Sequence, residues 1–436
     1  MKKVLIVTYY WPPTGGGGVQ RWLKFAKYLP SFGWKPTIVT PENPERPSED
    51  ESLLKDVDDK LIVIKLPIFE PYSLFKKLTG RKKSDKVNTG LLFDDNKQSF
   101  IEKVALWIRG NVLIPDPRIF WVKPTVKYLK KHVRELSPDI VITTGTPHSV
   151  HLIGHKLAKQ TGAKWLADFR DPWSDLDIIE KFYPTRWALK KHQRLEKKIL
   201  DDADYVLTVS KTWAKELQNK THTPVGAITN GYDSDDFQAF NSLNKQNDKF
   251  TIGHFGIINS YRNPTLLWHA INELCEENES FRKSLCIKLT GTVDQEVIKS
   301  VYSYNYLDSC IEIGSYLKHS ALLQEYANTD VLLVLLNQSK NSAGHIPGKI
   351  FEYLATGKSI LGIGPKEGDA GKIISSVSSN NLMITAEEKE QIKSYLLERF
   401  EIFRVAKHKS IEKNENVSQF SRKHLTNELA TILNQL

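Results

Sequence analysis

A chain of 436 residues, 40% of them hydrophobic and 26% charged, is longer than one hydrophobic core organises and too apolar for a disordered chain, so two globular domains are expected. Three scattered cysteines, Cys275, Cys286 and Cys310, exclude a disulfide framework and a thiolate zinc site and fit a reducing cytoplasm. No apolar run approaches the roughly 18 residues that would span a bilayer, and a net charge of +10 on so mixed a sequence fits a soluble or peripheral protein.

From the start, Lys3–Tyr9 is too short for a signal segment and reads as a buried strand. Further short apolar runs follow at Pro36–Thr40, Leu61–Leu66, Asp139–Thr143, Lys164–Phe169 and Tyr205–Val209. Between them, helical patterns occupy Val19–Phe32, Pro124–Leu136, Val150–Thr161 and Thr185–Asp202. Alternation of this kind predicts a parallel sheet wound with helices, a Rossmann-like lobe. From Glu70 to Asn111 no period is evident, and the stretch, with its basic cluster Lys76–Lys83, reads as a long insertion. The polar run Asn241–Lys249 is the expected linker. A second series, Phe250–Phe255, Leu285–Thr290, Ile311–Ile313, Val331–Leu336 and Ser359–Ile363, predicts a second Rossmann-like lobe, its helices including Pro264–Glu277 and His319–Ala327. Ser418–Leu436 is a final amphipathic helix with no strand after it, so it must pack on a lobe already built.

Charge is unevenly shared. Residues 1–245 hold 40 Lys and Arg against 29 Asp and Glu, leaving 21 against 22, so the total divides into +11 and −1. Nine of the ten tryptophans also fall there, and basic residues mixed with amphipathic aromatics suit an anionic membrane surface. A solvated basic face over ordinary core tryptophans is the alternative. No recognition helix, zinc module or RNA-binding motif accompanies the charge, so no nucleic-acid partner is expected.

Four segments carry candidate chemistry. In the first, Tyr9–Arg21, a strand runs through Gly15, Gly16, Gly17 and Gly18 into a helix, where close backbone approach and a positive helix end favour an anion; the spacing is neither a P-loop nor a dinucleotide fingerprint. In the second, Asp168–Trp173, two carboxylates and a guanidinium end a strand: Asp171 would face a ligand while Arg170 pairs with a neighbouring acid, and His148, after another strand end, would lie near the same mouth. In the third, Phe255–Pro264, Arg262 stands beside a helix opened by Pro264 at its first position, an anion site in prospect. In the fourth, Ile346–Leu361, Lys349 and Glu352 share one face of a short helix, a cation for phosphate and a carboxylate for ribose hydroxyls, or an ordinary surface pair.

Taken in order, Gly15–Arg21, Asp168–Trp173, Leu207–Ser210, Asn230–Asp233, Arg262–Pro264 and Gly348–Ala355 resemble the retaining glycosyltransferase family 4, in particular bacterial polysaccharide members with an Asp-Phe-Arg-Asp-Pro-Trp motif. The resemblance implies an α/β GT-B fold: two Rossmann-like lobes facing a cleft, residues 1–245 binding the acceptor and 246–414 the nucleotide sugar, with a final helix, about 415–436, returning to the first lobe. It implies sugar transfer from a nucleotide diphosphate donor to a glycan or lipid-linked glycan, with no metal or other cofactor, in a cytoplasmic or peripheral membrane protein. It places Gly16, Gly17, Gly18, Arg262, Lys349 and Glu352 at the donor, His148, Arg170 and Asp171 on the acceptor side, and Asp171, Arg262 and Lys349 in catalysis. Three positions depart from the family pattern: Gly344 replaces a Glu eight residues before Glu352, Ile257 an Arg, and Arg170 a His. A sugar-nucleotide epimerase of the same fold and an inactive sugar-nucleotide-binding protein are the alternatives.

Overall fold

The computed structural model describes every residue except 47, 71–99, 176, 239, 316, 318, 338–341, 386 and 406–414. It divides into two compact units, residues 1–230 with 422–436, and 231–421.

In the first unit, seven strands, β1 (Lys2–Thr8), β2 (Trp34–Pro41), β3 (Ile62–Leu66), β4 (Ile140–Gly145), β5 (Lys164–Phe169), β6 (Tyr205–Thr208) and β7 (Val225–Ala227), form one parallel sheet in the order β3-β2-β1-β4-β5-β6-β7. Both faces are covered, so the strands are apolar throughout, and the period of two divides their side chains between two cores. Leu5, Val7, Val141, Trp165 and Ala167 enter one core, and Val4, Ile6, Ile140, Ile142 and Leu166 the other. The second core also receives Leu425, Leu429 and Leu433 from the last helix, Arg422–Gln435, whose four-residue spacing lines up one stripe against the helix Gly17–Tyr28. This is the return to the first lobe expected from the sequence.

The second unit repeats the plan. Strands β8 (Phe250–Phe255), β9 (Leu285–Thr290), β10 (Ile311–Gly314), β11 (Val331–Leu335), β12 (Ser359–Ile363) and β13 (Leu382–Ile384) make a parallel sheet in the order β10-β9-β8-β11-β12-β13. In both sheets the first strand of the unit lies inside the sheet, third in order, and its neighbours lead in opposite directions. Ligands bind at such switch points, beyond the carboxyl ends of the strands. The switch points are β1/β4 and β8/β11, and the loops after those strands hold the candidate residues.

Several expectations are corrected. The edge strands β7 and β13 have three residues each, too few for alternation to register. The helix expected from Pro124 begins at Ile119, because Trp121 and Val122 anchor its first turn in the core, and Pro124 lies inside it. Pro264 caps the helix Thr265–Glu277 from outside rather than occupying its first position. Within the supposed insertion, Phe100–Asn111 is a helix; the basic cluster Lys76–Lys83 lies outside the described residues. The run Asn241–Lys249 is no linker. Lys245 is paired with Asp330 at 2.5 Å, and the Gln246 amide donates to Asn328 at 2.9 Å, so the run is fastened to the second sheet. With Phe237 and Phe240 also in that unit's core, the crossing falls at 230/231 instead of 245/246, and the return at 421/422 instead of about 415.

Candidate active site

In the first unit, the chain leaves β1 and enters the helix Gly17–Tyr28 through Gly16, whose φ of 109° is left-handed territory open to glycine. No side chain caps this helix and no acid stands in its first turn, so its positive end is uncompensated from within. Arg170, just beyond β5, reaches across the switch point. Its Nε donates to the Gly145 carbonyl at 2.7 Å and its Nη2 to the Thr146 carbonyl at 2.9 Å. Its guanidinium then lies against Gly18, where a Cβ would fall 1.7 Å from Nη1. A helix end and a fixed guanidinium together favour an anion. Gly18→Ala should therefore displace Arg170 while leaving the fold intact; we expect a fall in kcat/KM of about tenfold or more with an unchanged melting temperature, measured by steady-state kinetics beside calorimetry.

The carboxylate partner expected for Arg170 is absent from its bonds to Gly145 and Thr146 because the buried ion pair lies elsewhere. Asp168, fully buried, receives Arg21 Nη2 at 3.2 Å, Trp22 Nε1 at 2.7 Å and Thr144 Oγ1 at 2.9 Å. Arg21 also donates to the carbonyls of Ile228 and Thr229. Asp168 and Arg21 thus brace the sheet; both stand in segments singled out from the sequence, but their pairing with each other was not expected there. Asp171 is half-buried, with Thr146 Oγ1 3.5 Å from its carboxylate. His148 is buried and stacked on Trp173 at 4.9 Å between ring centres, its ring nitrogens making no well-formed hydrogen bond. Burial first, then His151 and Arg170, hold its pKa well below the usual histidine value and keep it neutral. Gly16–Gly18, Arg170, Asp171 and His148 therefore gather around the ends of β1, β4 and β5.

In the second unit, Gly256 follows β8 with φ 142°, and a Cβ there would stand 2.7 Å from Lys349 Nζ. That missing side chain lets Lys349, at the start of the helix Lys349–Thr356, lie over the switch point. Lys349 Nζ is 3.2 Å from His254 Nε2, and His254 Nδ1 is 2.9 Å from the Leu333 carbonyl. With Nδ1–H donating to that carbonyl, Nε2 is left to accept from Lys349. Burial, then the Arg262 guanidinium, push the Lys349 pKa down to about 7, while Glu352 opposes the shift. Arg262 Nε donates to Asn337 Oδ1 at 2.5 Å, linking the loops after β8 and β11. Glu352, one turn along the Lys349 helix, accepts from the Tyr326 hydroxyl at 3.0 Å. The structure thus brings Arg262, Lys349 and Glu352 to one end of one sheet and adds His254, Asn337 and Tyr326. Of these only His254 carried a signal, a titratable residue inside the apolar run Phe250–Phe255. Gly344 is buried in the turn Ser342–Gly344, and Ile257 is exposed.

Residues 91–236 match the family model of Glycosyltransferase Family 4. That segment, about a third of the chain, includes β4 to β7 and the Asp168–Trp173 motif. No curated protein sequence matches the chain. Among solved structures, sucrose-phosphate synthase from Thermosynechococcus elongatus is 14% identical with a TM-score of 0.60, the alignment covering 100% of this chain and 99% of that one. An α,α-trehalose-phosphate synthase (UDP-forming) from Burkholderia xenovorans in complex with glucose-6-phosphate is 8% identical with a TM-score of 0.62, covering 100% of both. A Listeria monocytogenes protein described as a UDP-N-acetylglucosamine 2-epimerase is 12% identical with a TM-score of 0.52, covering 100% of this chain and 96% of that one. The chain has the GT-B fold. Transferases and an epimerase share it, so function rests on the residues.

Proposed function

We propose that the protein is a retaining glycosyltransferase, moving a hexosyl or N-acetylhexosaminyl group from a nucleotide diphosphate sugar to a glycan or lipid-linked glycan, in cell-surface polysaccharide synthesis at the cytoplasmic face of a membrane. The observation that carries this reading is the pair of basic groups Arg262 and Lys349, placed beyond the ends of β8 and β11, with burial lowering the pKa of both and the Arg262 guanidinium adding to the shift at Lys349. Two buried basic groups at one strand end favour an anion that restores the charge on both, and a diphosphate supplies it. Glu352 then takes the ribose hydroxyls. The match of residues 91–236 to a glycosyltransferase family supports the same reading.

When the bond between the sugar and the diphosphate breaks, negative charge grows on the departing phosphate. Arg262 and Lys349 stabilise that charge in a setting poor in water, where each interaction is stronger than in bulk. In this reading the acceptor hydroxyl attacks from the face the diphosphate leaves, a departing phosphate oxygen takes its proton, and Asp171 and Arg170 orient the acceptor. Among the described residues no group of three His, Cys, Asp or Glu side chains is placed to hold a metal ion. We propose that the cations take over the charge neutralisation, and expect turnover to be unaffected by EDTA. No helix among the described residues is long and apolar enough to cross a membrane.

Thermal denaturation with a panel of nucleotide sugars, UDP and GDP tests the donor site, since a ligand of the folded state alone raises the melting temperature. One nucleotide series should shift the wild type and leave Arg262→Ala unmoved. Silence from every nucleotide would refute the assignment; a shift with acceptor-independent conversion of the sugar would turn it toward the epimerase.

A further inference from the structure

The helix Phe100–Asn111 carries an apolar face that the rest of the described chain leaves open. Phe100, Ile101, Val104, Trp107 and Ile108 are all exposed, Phe100 at 81%, with Val112 just past the helix end also exposed. At 100° per residue those five helical positions span about 120° of the circumference, one continuous stripe about 12 Å long. Leu106 and Gly110 face the protein instead. A Cβ on Gly110 would fall 2.4 Å from the Phe182 carbonyl oxygen, so the helix is seated tightly by its narrow side and turns its bulky side outward. Contiguous apolar surface of this kind marks a contact site.

The same helix is fixed to a basic one. Asn111 Nδ2 donates to the Tyr183 carbonyl at 3.0 Å, its Oδ1 accepts from the Thr185 amide at 2.7 Å, and Arg109 lies 4.1 Å over the Phe182 ring. Thr185 caps the helix Arg186–Asp202. The first nine residues of that helix include Arg186, Lys190, Lys191 and Arg194 and no acid. Beside them Trp187 is 60% exposed, with Lys191 Nζ 4.8 Å over its ring. An apolar stripe, an exposed tryptophan and a run of cations therefore follow one another along a single rigid connection.

We propose that this surface seats the first unit on a bilayer rich in anionic lipid, the helix Phe100–Asn111 lying in the interface with its stripe among the acyl chains and the start of the helix Arg186–Asp202 at headgroup level. Charge complementarity selects this occupant. A second copy of the chain meeting the stripe about a twofold axis would bring the two runs of cations together, and one short helix face offers much less than the roughly 800 Å² per partner of a stable dimer. Anionic headgroups satisfy the cations, and acyl chains take the stripe. The inference stands on the surface alone and does not depend on the reaction proposed above.

Flotation of the full chain with phosphatidylcholine vesicles, with and without phosphatidylglycerol, tests it without donor or acceptor. Wild type should float with the anionic vesicles and not with the neutral ones. Val104→Glu/Ile108→Glu should lower that binding at least tenfold, about the loss expected when carboxylates replace two buried apolar chains. Lys190→Glu/Arg194→Glu should weaken binding and flatten its salt dependence. Circular dichroism and melting temperature establish that both variants are folded. Absence of wild-type binding, equal binding by the folded variants, or a concentration-dependent dimer that Val104→Glu/Ile108→Glu dissolves would overturn the proposal, the last outcome assigning the face to a second copy.

Discussion

Lys349→Met is expected to make the unliganded protein more stable, by about 1–3 kcal/mol near neutral pH, while abolishing the nucleotide-induced rise in melting temperature. The cause is the local charge balance. Lys349 lies in a site poor in water beside Arg262, and its pKa falls to about 7. In the unfolded chain it returns to the ordinary lysine value near 10.4. A depressed lysine pKa means that the unfolded chain binds more protons between those values, so the penalty is full below pH 7 and lifts as pH rises toward 10. The stability gained from Met should therefore be largest at neutral pH and below, and shrink on the alkaline side. Binding has the opposite sense. A diphosphate restores the charge on Lys349, so each binding event above pH 7 takes up as much as one proton, and affinity falls by as much as about tenfold per pH unit. Calorimetric titration of UDP or GDP in buffers of different ionisation enthalpy measures that proton directly. Uptake that persists in Lys349→Met, or an unliganded variant less stable than wild type, would refute this account of the site.

Asp168→Ala should cost about 3–5 kcal/mol, a large share of the 5–15 kcal/mol typical of a folded domain. The substitution strands a buried guanidinium, since Arg21 and Asp168 are both without solvent exposure, and it also takes the acceptor from Trp22 Nε1 and Thr144 Oγ1. Urea unfolding followed by tryptophan fluorescence reads this unit selectively, because nine of the ten tryptophans belong to it and only Trp268 to the other. Replacing both partners, Arg21→Met with Asp168→Leu, should be less damaging than Asp168→Ala alone, because no buried charge is left unpaired. A single variant with wild-type stability would refute the bracing role of Asp168.

The two lobes were legible because strands buried on both faces are apolar runs and the helices between them have the other period. What escaped the sequence is what joins distant positions. Asp168 and Arg170 are sequence neighbours and invite pairing, yet the partner of Asp168 is Arg21, 147 residues away. Lys349 and Glu352 could be placed together from their spacing alone. His254 and Asn337 could not, because they meet Lys349 and Arg262 only through the order of the strands. The linker was misplaced for a related reason: Asn241–Lys249 looks like a tether locally, and only its bonds to Asn328 and Asp330 give it to the second sheet. Short edge strands and a helix with an internal proline escape any rule built on period.

Because the final helix completes the first unit, the order in which a ribosome delivers the chain matters. Residues 231–421 interrupt the first unit, and the two crossing points lie side by side, with the Tyr232 amide donating to the Phe420 carbonyl at 3.1 Å. The second unit is therefore whole before synthesis ends, whereas the unit begun first waits for Leu425, Leu429 and Leu433 to close its core. Until those residues emerge, the helix Gly17–Tyr28 lacks the partner that packs along it. A nascent chain stalled anywhere before the last helix would leave that apolar contact open, making it a target for chaperones throughout translation and for proteases if the last helix never arrives.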